Sequence, residues 1–381
     1  MHIFHWREQG RCRSQTKDRM SFFTRGAETS EILCKFATIF TRANMDNYES
    51  SLKSNEVEGW IGRNISLPAG YLFAKGFARL GVHPNAVSVL SILAGICSSF
   101  FFVHGSSHYE GANGLISNII AALLLLLCGA FDYADGQLAR MTGKSSTFGR
   151  MLDGVSAFFF YPFIYWGLFF RIVKYHSIEF SLFGIPPTHQ NVILLAITVF
   201  VLGHFSGYIC FASQMRKIDY YIQAHLFFLN NGNREFEESS DLQKKYDCLD
   251  WKKDFWWKIC MKLYLDYTKA QERSTPELQK FKKVVRERFG SLENTPESLR
   301  MRFHDGSLPL MKYVILLSFN FRTIMLVLFC LLDIPLGYIL FEIVVFSSIC
   351  RIMIRKHERL CSQLTDDILS ENHNQSRICQ S

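Results

Sequence analysis

Asp132, Asp135 and Asp153 lie in FDYADGQLARMTGKSSTFGRMLDGVSA, residues 131–157, directly after the apolar run AALLLLLCGA. Asp132 and Asp135 are three residues apart, so on a helix they share one face. Asp153 follows 18 residues after Asp135, beyond a polar turn. Two antiparallel helices joined by that turn would bring the three carboxylates together. Converging carboxylates repel unless a cation neutralises them, and an all-oxygen donor set suits Mg²⁺, Mn²⁺ or Ca²⁺. Such ions commonly bridge a phosphate-bearing substrate. Small residues accompany the acids: Gly136 and Ala139 sit beside the first pair, and Gly149 one helical turn before Asp153. Arg140 is the cation at hand for an anionic substrate or a neighbouring carboxylate.

The elements that must position these residues are membrane helices. Apolar residues collect in six blocks, about 86–104, 115–133, 151–172, 191–213, 311–332 and 335–354. Each approaches the ~20 residues that cross a hydrocarbon core as helix. One such block could be the core of a soluble helical protein; six argue against it. Strands with open edges cannot satisfy their backbone in lipid. The expected fold class is therefore all-α integral membrane, with six transmembrane helices. Ahead of them, Phe73, Phe77 and Leu80 recur at helical spacing with Leu72 beside them, and Lys75 and Arg79 fall on other faces. This predicts an N-terminal juxtamembrane amphipathic helix, with a surface helix packed on cytosolic loops as the alternative. Ionised residues at a membrane edge are costly and mark function, which sets the three aspartates apart from simple interfacial caps.

Basic residues orient the chain. Arg140, Lys144 and Arg150 follow the second block, RIMIRKHERL follows the sixth, and the connector GSSHYEGANG has no Lys or Arg. Both termini are thus expected in the cytoplasm, with Arg171 and Lys174 as a counter-signal. The net charge of +8 reads as a surface facing anionic headgroups rather than nucleic acid, since no reader fold accompanies it. The 11 cysteines show no CxxC spacing, which speaks against a disulfide framework or a zinc motif.

Residues 1–44 form a polar extension without a signal-peptide core, either a disordered arm or the product of an upstream start. Residues 45–213 hold the juxtamembrane helix and four spans, 214–310 a charged helical cytosolic insertion, 311–356 the last two spans and 357–381 a polar tail. Within the insertion, Trp251, Phe255, Ile259, Leu263 and Tyr267 form an i, i+4 stripe among lysines that include Lys258. That stripe suits a bilayer interface, a partner or a cap folded over the spans. A second helix is expected to start at Ser274-Thr275-Pro276-Glu277 and stop at Gly290.

The aspartate stretch resembles the CDP-alcohol phosphotransferase motif, D-x2-D-G-x2-A-R-x8-G-x3-D-x3-D. It reads Asp132-x2-Asp135-Gly136-x2-Ala139-Arg140-x8-Gly149-x3-Asp153-x3-Ala157, with seven of eight specified positions matched. The likeness extends to the six spans, the preceding amphipathic helix and the start of the first span at HPNAVSVLS. It covers roughly 50–213 well and the last two spans loosely, and leaves out 214–310 and the N-terminal arm. The resemblance implies transfer of a substituted phosphate from a CDP-alcohol, often CDP-diacylglycerol, to an acceptor alcohol with release of CMP. It implies Asp132, Asp135 and Asp153 as ligands of a divalent cation, Mg or Mn. Gly136, Ala139, Arg140 and Gly149 would line the nucleotide pocket. It also implies membrane lipid as partner and a homodimer.

The fourth aspartate of the motif, the family's general base, is Ala157 here. Position 157 shares a helix face with Asp153, and alanine neither accepts a proton nor holds a cation. Losing a general base lowers the rate by about 10²- to 10⁴-fold, or roughly 3–5 kcal/mol of barrier. Family members also often show an acidic residue near Gly62, a basic one near Leu67 and Thr at Ser88; this chain departs at all three. Ser156 is expected to point to a different face. Tyr133 and His204 are within reach as substitute bases, although a lone membrane His is commonly a packed or hydrogen-bonded residue. Arg322, inside the fifth block, is a possible acceptor or phosphate contact, or else a helix-pairing or snorkelling residue. Three readings follow: an active phosphotransferase, a catalytically impaired homologue that binds nucleotide-lipid or a partner, and a transporter. The last is disfavoured because no paired broken helices or repeated halves are visible.

Overall fold

The chain enters its first long helix as Pro84 predicts: His83 stays extended, its ring Nδ1 accepts from Asn85 N at 3.2 Å, and Pro84 takes the first helical position. The computed structural model describes residues 56–144, 147–230, 236 and 238–378, so the extension 1–44 lies outside the described residues. Every regular element among them is helical. In chain order, α1 spans Leu67–Arg79, α2 Pro84–Val103, α3 Ala112–Thr142 and α4 Thr147–Tyr175. The fifth long helix, α5, runs His189–Leu229. Then come α6 Ser239–Asp247, α7 Phe255–Arg273, α8 Pro276–Phe289, α9 Glu297–Ser307 and α10 Phe319–Leu331. The last, α11, covers Pro335–Glu371.

Five helical stretches among the described residues are long and apolar enough to cross a membrane: α2, α3, α5, Glu297–Leu331 and α11. The remaining expected block, 151–172, lies on α4, an unbroken helix of 29 residues with Pro162 inside it. Pro162 removes one backbone donor, which membrane helices tolerate where neighbours cover the site. The crossing of α2 and α4 is close. A Cβ on Gly95 would fall 2.5 Å from Phe160 Cγ, so only glycine lets the two helices meet there.

Two polar ties hold the bundle. At the connector end, buried Arg171 donates to Asp333 Oδ1 from Nε at 3.0 Å and Nη2 at 2.7 Å, and to Asn118 Oδ1 at 3.1 Å. Asp333, between α10 and α11, has φ 60°, a left-handed conformation that Asp tolerates better than bulkier residues. Ser106 Oγ donates to its other oxygen at 2.7 Å. Arg171 is therefore neutralised inside the protein and is no loop charge, which removes half of the counter-signal to the orientation. The second tie lies between α10 and α11, where Arg322 Nη1 meets Glu342 Oε1 at 2.9 Å with both side chains fully buried.

Beyond the apolar bundle, α5 continues without a break past residue 213. Its last turns pack Tyr220, Tyr221, Ala224, Phe227 and Phe228 against Leu278, Phe281 and Val285 of α8 and against α11. The helix after Ser274 runs Pro276–Phe289 and ends on Gly290, φ 83°. The tail beyond 357 is also helical and buries Cys361, Leu364 and Ile368 in the same core. The stripe expected on α7 lies largely on its outer side. Met261 and Leu265 point inward, packing with Leu242 of α6, and Thr268 is also buried, while Trp251, Phe255 and Leu263 are exposed. Lys258 belongs to the buried side. Its ammonium lies 4.8 Å from the Tyr246 ring centre and donates to the Leu249 carbonyl, so an aromatic face and a carbonyl replace water.

Lys282 of α8 is 3% exposed and paired with Glu238, with its ammonium 4.1 Å from the Phe236 ring centre. Burial pulls the Lys282 ammonium down. Burial pushes the Glu238 carboxyl up, but Lys282 and Arg286 outweigh that and hold it below the usual carboxylate range. Replacing Glu238 with Gln leaves a buried ammonium without its counter-charge. It should cost about 3–5 kcal/mol, read as a lower melting temperature in detergent. Because the folded pKa of Glu238 is depressed, its contribution is complete above the unfolded value of about 4.3 and is lost as pH falls through the folded value. The stability difference between parent and Glu238→Gln should therefore shrink in acid.

Candidate active site

Asp132 and Asp135 both lie on α3, which carries the DxxDGxxAR segment as unbroken helix and ends at Gly143, φ 66°. The two carboxylates are held by hydroxyls from different neighbours. Ser88 Oγ of α2 donates to Oδ2 of buried Asp135. Ser156 Oγ of α4 donates to Asp132 Oδ1 at 3.3 Å. Ser156, expected on another face, is thus turned toward the first aspartate. Asp153 and Ala157 sit on the same turns of α4, and their side chains lie outside the described ones. Gly149 is half-buried in the first turn of α4, and Ala139 is half-buried on α3.

Arg140 folds back along α3. A Cβ on Gly136 would meet only its guanidinium, 3.5 Å from Nη1 and 3.6 Å from Nη2. The positive charge therefore lies over the glycine that follows Asp135, on the exposed rim of the site. Oxygen donors at Asp132 and Asp135, each steadied by a serine, make a donor set that fits a hard divalent cation. A guanidinium beside them suits a phosphate oxygen.

The segment before α1 closes another side. Gly70 lets α1 lie on α3: its Cβ would fall 2.8 Å from Tyr133 Cβ, 3.1 Å from Ala134 N and 3.2 Å from the Ala130 carbonyl. Gln137 Nε2 of α3 donates to the Leu67 carbonyl at 3.2 Å. Tyr133 turns toward this segment and donates its hydroxyl to Glu58 Oε2 at 2.7 Å. The same Oε2 lies 2.5 Å from where a Gly62 Cβ would stand. An acidic group is therefore present near position 62 after all, delivered by Glu58 one turn earlier. Glu58 escaped the sequence reading because only the turn over Gly62 carries it there. Asn320, at the start of α10, accepts from Ser66 Oγ at 3.4 Å.

The other two sequence candidates lie in different surroundings. His204 Nδ1 lies 2.8 Å from the Phe200 carbonyl on its own helix, with its ring against Phe200 and Tyr165. Arg322 has all three nitrogens engaged. Nε donates to the Leu317 carbonyl at 3.2 Å, Nη1 to Glu342 and Nη2 to Gln214 Oε1, and Phe211 and Phe346 cover its two faces at 4.7 and 4.4 Å. That placement is a helix-pairing one.

Gly70→Ala should push α1 from α3 and cost about 1–3 kcal/mol, whereas Gly76→Ala, with nothing within 4 Å of its Cβ, should be neutral or stabilising. Thermal unfolding of the two variants in the same detergent checks the pair.

Comparison with known proteins bears on the same stretch. Residues 81–160 match the family model described as CDP-alcohol phosphatidyltransferase. Among curated proteins, the archaetidylinositol phosphate synthase of Pyrococcus horikoshii is 38% identical over 80 residues, 21% of this chain and 36% of that protein. The chain thus spans little more than a third of that relative. No solved structure matches. Residues 81–160, which hold the aspartate motif, are accordingly similar to the CDP-alcohol phosphatidyltransferase family.

Proposed function

We propose that this chain is a multi-pass membrane phosphotransferase of phospholipid synthesis. It would move a substituted phosphate from a CDP-alcohol of the CDP-diacylglycerol type to an acceptor alcohol and release CMP. The observation that carries the reading is the pinning of Asp132 and Asp135 by serines of two other helices, Ser156 and Ser88. Donors from two different helices fix the directions of two carboxylates on one turn of α3. Asp132, Asp135 and Asp153 would hold a divalent cation, Mg or Mn. When bound, that ion supplies positive charge to the donor diphosphate. Arg140 adds its guanidinium on the same side, and Gly136, Ala139 and Gly149 leave room for the nucleotide. The acceptor oxygen forms its bond to phosphorus as the bond to CMP breaks, and the acceptor proton leaves for a base.

Ala157 removes the expected base. The Glu58–Tyr133 pair does not replace it directly, because the Tyr133 hydroxyl already donates its proton to Glu58 Oε2. The second reading, an impaired homologue that binds nucleotide-lipid or a partner, rests on this one position. The proposal includes six spans, with α4 the third, and α1 at the membrane surface. Leu72 and Leu80 are exposed on the side of α1 away from α3, which supports that position. Both termini would be cytoplasmic, with Arg171 no longer opposing the basic bias, and the protein would be a homodimer.

The test is CMP release from CDP-diacylglycerol by the purified protein with Mg²⁺ or Mn²⁺. The acceptors are glycerol phosphate, an inositol phosphate, serine and polyols. Asp135→Asn should lower release at least about 10²-fold, and Ala157→Asp should raise it by about 10²-fold or more. Activity confined to Ala157→Asp would favour the binding reading. Measurable release by the parent that Asp135→Asn leaves unchanged would overturn the phosphotransferase reading.

A further inference from the structure

Away from the aspartates, three side chains from distant parts of the chain meet at one point. Glu56 precedes the turn that carries Glu58, His225 lies near the end of α5, and His304 lies on α9. The Nε2 atoms of His225 and His304 each sit 2.9 Å from the same oxygen, Glu56 Oε2. The two rings stack with centroids 5.0 Å apart and planes at 27°. One ligand atom from each residue lies within 4.8 Å of the others. His225 is fully buried.

The opposite ring edges have partners of their own. His225 Nδ1 lies 2.7 Å from Ser307 Oγ. His304 Nδ1 faces Asp305 Oδ1 at 3.2 Å, and a carboxylate accepts, so this nitrogen carries its proton. With His304 neutral its Nε2 presents a lone pair to the cluster, and the His225 tautomer that donates from Nδ1 to Ser307 does the same. In that state two imidazole nitrogens and a carboxylate oxygen converge as the ligand atoms of one divalent cation.

We propose that Glu56, His225 and His304 bind a zinc-class ion. Two imidazoles and one carboxylate are a set that Zn²⁺ takes, with a fourth position for water. Mg²⁺ and Ca²⁺ prefer oxygen alone, so this ion differs from the one suited to the aspartates. Ser307 and Asp305 orient the two rings from behind, as outer partners of metal-bound histidines do. The ion joins α5, α9 and the segment ahead of α1, and so fixes the stretch whose Glu58 meets Tyr133. This site goes beyond the proposed phosphotransfer and does not rest on it.

The test is metal content of the full chain, purified in detergent without chelator and equilibrated with Zn²⁺, with the visible spectrum of the Co²⁺-loaded protein beside it. The parent should retain about one zinc per chain and show tetrahedral cobalt bands. Glu56→Gln and His304→Ala should lose the ion, Asp305→Asn should weaken binding about 10-fold, and Asp132→Asn should keep it. A parent without zinc above the buffer, or without cobalt bands, overturns the site whatever the variants do. So does equal zinc in the parent, Glu56→Gln and His304→Ala.

Discussion

A guanidinium buried among membrane helices must have every donor satisfied, and Arg322 sets that constraint for this bundle. Its partners come from α5 through Gln214, from α11 through Glu342 and from the turn ahead of α10 through the Leu317 carbonyl. Tyr165 of α4 adds its hydroxyl to the other Glu342 oxygen at 3.0 Å. Four helices are thus tied through one ion pair. Both α5 and α11 widen into a π-helical turn beside it, Ser206–Phe211 and Glu342–Phe346, and the last residue of each turn lays its ring on the guanidinium. An extra residue per turn is how a helix re-aims a side chain without ending, and here it turns Phe211 and Phe346 onto the charge.

The position of α10 follows from that tie, and the aspartate end of the bundle follows from α10. Asn320 is one turn from Arg322's anchor and reaches Ser66, at the start of α1. From there Gly70 seats α1 on α3, and Tyr133 is drawn to Glu58. At the opposite end, Arg171 and Asp333 close the connectors, so the helices are held at both ends. The aspartates then need only local help, and the hydroxyls of Ser88 and Ser156 give it.

The helical part beyond the apolar bundle shares this economy of polar partners. Lys282, Lys258 and the Glu56 cluster each bring charge or lone pairs out of water against specific groups, and the Glu56 cluster joins segments remote in sequence. This part is continuous with the bundle because α5 and α11 run through both, with Tyr221 stacked on His357 at 4.2 Å between them.

Local periodicity determined a large share of this protein from sequence alone. Apolar block length placed the long helices. Pro84, Pro276 and Gly290 marked helix ends, and the i, i+3 spacing put Asp132 and Asp135 on one face of a helix that carries the motif. These features depend on neighbours within a few residues. What only the tertiary structure decided is which faces meet. Ser156 rather than an off-face hydroxyl, Glu58 in place of an acid at 62, the buried side of α7, the neutralised Arg171 and the occupied Arg322 all depend on partners that no local rule supplies. Ser66 and Asn320 are separated by 254 positions, and His304 and Glu56 by 248. A buried polar group takes whichever partner packing brings within 3 Å or so, and packing is a property of the whole bundle.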